Sequence, residues 1–275
     1  TYFSDTTLKK VLIEDLEGSN DGIISGATTT NSVYGGNAPV LDRAVDVAKE
    51  GQADAIGDGS ASFTSSSSNY IALPDNFRSL FYHSFTITAW IKLNDGQPSA
   101  RNRIFGASDG TDRMSFDIAH SPTSGKIDLF FDSNYSEVTA TTSSAVFADG
   151  ATDWTHVAGV VTAGGTMGIY VNGIKQAITG GDMSSITMST RVLEAAPYIG
   201  AWNSNGTAGD FFDGNIAQFG LWHGALTQAQ IQEVMEQTYA TMTPSIKSTL
   251  GDEIVVNGDF SSVASWGVSD ATVWI

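Results

Sequence analysis

The chain has no cysteine in 275 residues. A disulfide framework and a zinc–thiolate centre are both excluded, and stability has to come from the core alone. Basic residues are scarce too: 13 Lys and Arg stand against 30 Asp and Glu, for a formal net charge of −17 and an isoelectric point of about 4.3. Nowhere do the cations cluster, so no nucleic-acid partner is expected, because phosphate binding needs grouped Lys and Arg. Anionic membrane surfaces are disfavoured for the same reason. No run of 18 apolar residues exists, so no membrane insertion by a helical span is expected. Charged residues make up only 16%; Ser, Thr, Gly and Asn carry the polar surface instead, as in β-rich extracellular and virion proteins. The opening Thr1-Tyr2-Phe3 shows neither Met nor a signal-peptide pattern, which reads as a piece of a longer chain or a processed product. The acidity itself leaves two readings open: solubility, or divalent cations held by loop aspartates.

What is present is enough for a large core: 41% of residues are hydrophobic and 10% aromatic. The organising stretch runs from Trp154 to Tyr239. Met167, Ile169 and Val171 alternate with Thr166, Gly168 and Tyr170, the two-residue period of a strand. Asn172-Gly173 follows and predicts a type I′ hairpin turn, since both central residues need positive φ. Strands are predicted at residues 198–201 and 215–222, then a helix at about 227–240. That helix opens on a capping box, Thr227 with Gln230, and its apolar stripe is Ile231, Val234, Met235 and Tyr239.

Upstream, residues 1–26 hold a strand candidate at 10–16, and residues 27–56 form an irregular arm without a clear period, read as either a partner-binding arm or a surface loop. From residue 58 the periodicity is strong. Phe85, Ile87, Ala89, Ile91 and Leu93 share one face of a strand, and Thr86, Thr88, Trp90 and Lys92 the other, which predicts a half-buried strand. Shorter strands are predicted at 103–106, 114–119, 127–131 and 137–141, punctuated as in an all-β sandwich. Residues 241–251 read as a linker. Residues 252–275 read as the beginning of a second β-sandwich module; a piece that short builds no core, so it either docks on the main sandwich or lacks the rest of its domain.

The ordered set DGSASFTSSSSNYIALPDNF, HSFTITAWIKL, DWTHVAGVV, GTMGIYVNGIKQ, PYIGAWN and FDGNIAQFGLWHGALTQAQIQEV resembles the laminin-G-like family, over roughly residues 57–240. The resemblance implies an all-β fold: a concanavalin-A-like jelly-roll β-sandwich, shared with pentraxins, with one short C-terminal helix and residues 1–26 supplying first strands. The tail IVVNGDFSSVASW is similar to the opening of galactose-binding-like carbohydrate-binding modules. A laminin-G-like domain, a GGNAP-type arm and such a module in series look like phage virion proteins.

Glycan-cleaving relatives of this fold need paired carboxylates. The Glu-x-Asp-x-Glu pattern is absent, and Asp128 in Ile127-Asp128-Leu129 reads as a lone carboxylate. His156 reads as a satisfied structural histidine, and no catalytic residue is assigned. Trp90, Trp154 and Trp222 read as core. The family resemblance implies calcium as the one cofactor to consider, with Asp112, Asn203 and Asp210 as surviving ligands; these are few for a cation that takes six to eight oxygens. Asp21 and Asp58 are a further location for a structural calcium. Trp202, with Asn203 and Asn205 beside it, is the carbohydrate-binding candidate: the indole either stacks on a sugar face or packs over its own loop or a neighbouring subunit. The function expected is a non-enzymatic virion structural or receptor-binding module, a tail or head fibre or capsid decoration. Its partners would be other virion proteins, copies of itself or a surface glycan, and its location the virion. The alternative is a secreted, extracellular bacterial glycan-binding adhesin or lectin module, with a polysaccharide lyase or glycosidase as the third reading.

Overall fold

The computed structural model describes residues 11–13, 22–24, 60–73, 82–118, 123–188, 196–236, 244–250, 267–269 and 272–274. The chain divides into two units, Thr1–Leu41 and Asp42–Ile275. In the first, β1 (Val11–Ile13) and β2 (Gly22–Ile24) make a two-stranded antiparallel sheet of their own, with Leu12 opposite Ile23. β1 lies within the strand expected at residues 10–16. Asp21, Asp58 and the whole of the arm at 27–56 fall outside the described residues.

The second unit contains β3 (Ser60–Phe63), β4 (Tyr70–Ala72), β5 (Phe85–Leu93), β6 (Asn102–Ser108), β7 (Arg113–Ile118), β8 (Ile127–Ser133) and β9 (Ser136–Thr142). It continues with β10 (Thr155–Val161), β11 (Gly168–Val171), β12 (Ile174–Lys175), β13 (Ile178–Gly180), β14 (Tyr198–Ile199), β15 (Trp202–Ser204), β16 (Thr207–Gly209) and β17 (Gly214–His223). After helices α1 (Gln228–Glu236) and α2 (Pro244–Leu250) come β18 (Gly267–Ser269) and β19 (Thr272–Trp274). Two antiparallel sheets result. One has the order β12-β11-β10-β5-β17-β3-β19; the other runs β13-β9-β8-β7-β6-β14-β4-β18, with the β15–β16 hairpin joined to β6. Each sheet interleaves strands distant in sequence, so this is the expected jelly-roll sandwich.

The alternation read in β5 fills the space between the sheets. Phe85, Ile87, Ala89, Ile91 and Leu93 pack in one buried cluster with Phe105, Phe116, Leu129 and Phe131 of the opposite sheet. The other face of β5 departs from the half-buried expectation: Thr86 and Thr88 are fully buried and Trp90 nearly so. The reason is α1, which caps that face. Trp222, Tyr170, Ala158, Val160, Leu226, Ile231 and Val234 form a second small core beneath it, and Trp90, Trp154 and Ala217 a third, against Met235. Three polar groups there are satisfied locally. Trp222 Nε1 donates to Thr88 Oγ1 at 3.0 Å, Thr86 Oγ1 donates to the Gly224 carbonyl at 2.8 Å, and Trp90 Nε1 donates to the Met235 carbonyl at 3.2 Å. The three tryptophans are thus core, but the core under the helix rather than the one between the sheets.

His156 shares that region. It is buried, and its ring meets Trp90 edge-on at 5.4 Å between centroids. It is not the satisfied histidine expected, because Nδ1 has no hydrogen-bond partner among the described residues. Burial lowers its pKa from 6.5 to about 3, since nothing compensates the lost hydration of an imidazolium.

The helix start follows the capping box. Thr227 N–H donates to Gln230 Oε1 at 2.9 Å and Gln230 N–H donates to Thr227 Oγ1 at 3.3 Å, so two otherwise orphaned donors are answered reciprocally. Thr227→Ala is expected to cost about 1 kcal/mol, read as a fall of roughly 2–4 °C in melting temperature. An unchanged melting temperature would show that tertiary packing alone holds α1.

In the segment read as a linker, α2 opens on Pro244, a residue suited to the first helical turn because its missing N–H is not needed there. In the tail, β18 pairs with β4 and β19 with β3, Val268 opposite Ile71 and Val273 opposite Ala61. Its described strands therefore extend one edge of each sheet.

Candidate functional site

Alternation places Phe116, Ile118, Ile127, Leu129 and Phe131 inside the sandwich. Arg113, Ser115 and Asp117 of β7, and Asp128, Phe130 and Asp132 of β8, therefore face outward from the larger sheet. Strand register aligns them in rows. Arg103 lies opposite Asp117, Asp117 opposite Asp128, and Asp128 opposite Thr141. Asp128 is thus not the lone carboxylate expected. Its partner, Asp117, comes from the neighbouring strand, eleven residues earlier, and only pairing reveals it.

Arg103 is the hub of this face. Its Nη1 donates to Asp117 Oδ1 and Oδ2 at 2.8 and 2.9 Å, and its Nε and Nη2 donate to Asp210 Oδ2 at 3.2 and 3.0 Å. Ser115 Oγ donates to Asp117 Oδ2 at 2.8 Å. The Arg103 side chain is 4% exposed and that of Asp117 is 0%, so this guanidinium is held on both sides in a largely dry setting. Charge-assisted hydrogen bonds of this kind are stronger than neutral ones. The guanidinium carbon sits 4.2 Å from the centroid of the Trp202 ring. From below, the ring lies on Gly106, where a Cβ would come within 2.8 Å of Trp202 Cε3; the strand needs glycine there to admit the indole. Trp202 therefore packs against its own sheet while staying half-exposed. Part of the indole is covered and part is exposed.

Above Trp202, three hairpin tips meet at one end of the sheet. The β6–β7 tip is tied by Asp109, whose Oδ1 accepts the N–H groups of Thr111 and Asp112 at 2.9 and 2.8 Å. The β8–β9 tip is Asn134-Tyr135, joined to the first by Asn134 N–H on Asp112 Oδ1 at 2.9 Å and Tyr135 N–H on the Thr111 carbonyl at 3.3 Å. The β15–β16 tip is Asn205-Gly206, joined to the first by Asn205 N–H on the Ser108 carbonyl at 3.1 Å. This last hairpin was legible: Asn-Gly at 205–206 is the same signal as at 172–173, and both pairs have positive φ. Sequence reasoning passed over it as a loop because the strands on either side are only three residues long.

The three residues proposed as calcium ligands are used differently here. Asp112 Oδ1 accepts the Asn134 N–H. Asn203 closes its hairpin, accepting the Gly206 N–H at 2.7 Å and donating to the Ala196 carbonyl at 2.5 Å. Asp210 Oδ2 faces the Arg103 guanidinium, with Arg101 3.8 Å away. Among the described residues no group of three or more His, Asp or Glu is arranged to hold a metal. The donor set does not fit a hard cation: the amide is spent on the backbone, and Asp210 already has a fixed positive charge beside it. Of the carbohydrate candidates, Trp202 and Asn205 reach the surface while Asn203 is buried.

Beside the rim, Arg113 binds Asp132 at 2.7 Å and also pairs with Glu137. Burial pushes the Asp132 carboxyl up despite the Arg113 guanidinium, and its Oδ1 has no hydrogen-bond partner among the described residues.

A family model described as the concanavalin A-like lectin/glucanases superfamily matches residues 65–232, more than half of the chain. No curated protein matches in sequence. Among solved structures, a Bacteroides ovatus protein with a proposed carbohydrate-binding role aligns at 22% identity and a TM-score of 0.43, over 64% of this chain and 46% of that one. This chain thus spans less than half of that relative's length. The binding domain of botulinum neurotoxin serotype D aligns at 17% identity and a TM-score of 0.43, over 57% and 37%. The CBM40 of a Ruminococcus gnavus sialidase, bound to α2,6-sialyllactose, aligns at 14% identity and a TM-score of 0.46, over 65% and 97%.

Proposed function

We propose, from the premise that this chain belongs to the concanavalin A-like lectin/glucanases superfamily, that it is a non-catalytic recognition module contacting a glycan through the rim above Trp202. The observation that carries this is the half-exposed indole of Trp202, fixed by the Arg103 guanidinium at 4.2 Å beneath a hairpin tip whose Ser204, Asn205 and Thr207 are exposed. A sugar presents a C–H face and a hydroxyl edge, which an aromatic body with neutral polar neighbours matches. Because Arg103 is locked by two carboxylates, little ordering entropy remains to be lost on binding.

A binding rather than cleaving role is supported by the state of the opposed carboxylates. Asp117 has both oxygens engaged by Arg103 and one also by Ser115, and Asp128 accepts from Thr141 Oγ1 at 2.5 Å. Neither is placed as a proton donor toward an open cleft. The larger setting we assign is a virion fibre or capsid decoration, in which the module also touches other virion proteins or copies of itself; the series of resemblances along the chain supports it. A secreted bacterial adhesin would use the same rim, and solution mass together with sugar binding separates the two.

A glycan array probed with the full chain tests the recognition reading. At least one glycan should be retained, and Trp202→Ala should weaken it about tenfold or more, as for a central aromatic contact, with the far-ultraviolet β spectrum preserved. A blank array, with the chain forming an obligate oligomer, would replace recognition by a purely architectural role.

A further inference from the structure

We infer that Tyr135 is a second ligand-stacking residue of the rim, beside Trp202, and that it selects an uncharged saccharide ring. This rests on the recognition reading above and adds to it a contact residue and a ligand class. Among the described residues, three two-residue hairpin tips hold both central residues at positive φ: 172–173, 205–206 and 134–135. Two of them place glycine second, where the missing Cβ removes the steric penalty. The third places Tyr135 there, at φ 62°, a conformation that bulky L residues avoid.

Burial does not repay that choice. Tyr135 is 73% exposed, and with Ile174 it is one of the two exposed large hydrophobics among the described residues. A strained backbone that serves to present an aromatic ring to solvent points to use at the surface. The ring is also aimed. Its N–H holds the Thr111 carbonyl and its phenol lies 3.4 Å from Thr111 Oγ1. It stands on one side of the 109–112 tip, while Asn205 is bonded to Ser108 on the other.

The surroundings decide the ligand's charge. The exposed groups of the neighbouring tips are neutral: Gly110, Asn134, Ser204, Asn205 and Thr207. The charged groups close by are Asp109, Asp112, Asp132 and Glu137, with Arg113 committed to the last two. A carboxylate or sulfate on the ligand would meet a field of its own sign. A neutral pyranose would place its C–H face on the phenol ring and its hydroxyls among amides, hydroxyls and backbone.

The test uses the full chain in affinity electrophoresis through gels containing mannan, galactan or xylan, and through gels containing alginate as the anionic probe, with thermal melting in parallel. Tyr135→Asn should melt a few degrees higher, because asparagine accepts this conformation, while losing about tenfold or more of its retardation by a neutral polysaccharide. Tyr135→Phe should keep most of the retardation, and alginate should retard none of the variants. Retention of binding by Tyr135→Asn would overturn the assignment, as would a lower melting temperature for it, loss of binding by Tyr135→Phe, or binding of alginate alone. If Trp202→Ala abolishes binding and Tyr135→Asn does not, recognition at the rim stands and the role given to Tyr135 falls. If no polysaccharide retards the parent chain, the recognition reading fails and this one with it.

Discussion

Replacing Arg103 by methionine is expected to destabilise the protein by about 3–5 kcal/mol, because an uncompensated charge would be left in the sheet face. Asp117, whose side chain is fully buried, would lose both hydrogen bonds from Arg103 Nη1, keeping the Ser115 hydroxyl among the contacts described above. Asp210 is far less affected, since its side chain is 42% exposed and water can replace the lost cation. The asymmetry predicts the rescue. Arg103→Met combined with Asp117→Leu should recover most of the loss, since a buried ion pair replaced by apolar side chains of similar size is often neutral in stability. Urea unfolding of the two single variants and the double variant gives the coupling directly. A loss below about 1 kcal/mol for Arg103→Met would mean that water reaches Asp117 and that the ladder is a surface feature. The same variant removes the group lying over Trp202, so glycan affinity should fall with it.

Acid is expected to unfold this protein through His156. Its pKa is 6.5 in a solvated chain and about 3 in the fold, so between those values the unfolded state binds the extra proton. The contribution to stability is therefore complete above pH 6.5 and declines as pH falls toward 3, by about 1.4 kcal/mol per pH unit and roughly 5 kcal/mol in all. Carboxylates titrate in the same range, in a chain of net charge −17, so the informative quantity is a difference. Stability measured by urea unfolding at pH 7, 6, 5 and 4 should diverge between the parent and His156→Phe, with the parent falling more steeply. Parallel curves would mean that His156 is protonated without cost, and that a partner for Nδ1 exists in solution.

Much of the architecture was legible because it depends on local rules. The five inward residues of β5, the Asn-Gly turn at 172–173 and the Thr227–Gln230 box are each set by periodicity or by a short-range conformational requirement, and the chain adopts all three. The half-buried reading of β5 failed because alternation tells which residues share a face, not what will cover it. Thr86, Thr88 and Trp90 are buried by α1, more than a hundred residues later. The site was less legible for a related reason. Trp202 and Asn205 are found from sequence as an aromatic and an amide in a polar stretch. Arg103, which positions Trp202, gave no signal, because its meaning comes from Asp117 across the ladder and Asp210 over a hundred residues on.

The sequence by itself determined that this chain is a cysteine-free, acidic, all-β protein whose stability lies in alternating apolar strands, since composition and a two-residue period suffice for that. Only the tertiary structure decided which polar groups meet. It turned Asp210 from a calcium candidate into an arginine partner, gave Asp128 a carboxylate neighbour, left His156 Nδ1 without a hydrogen-bond partner among the described residues, and brought Tyr135 and Asn205 to the two sides of one loop. Strand register and loop closure set those meetings, and neither is a property of any short stretch of chain.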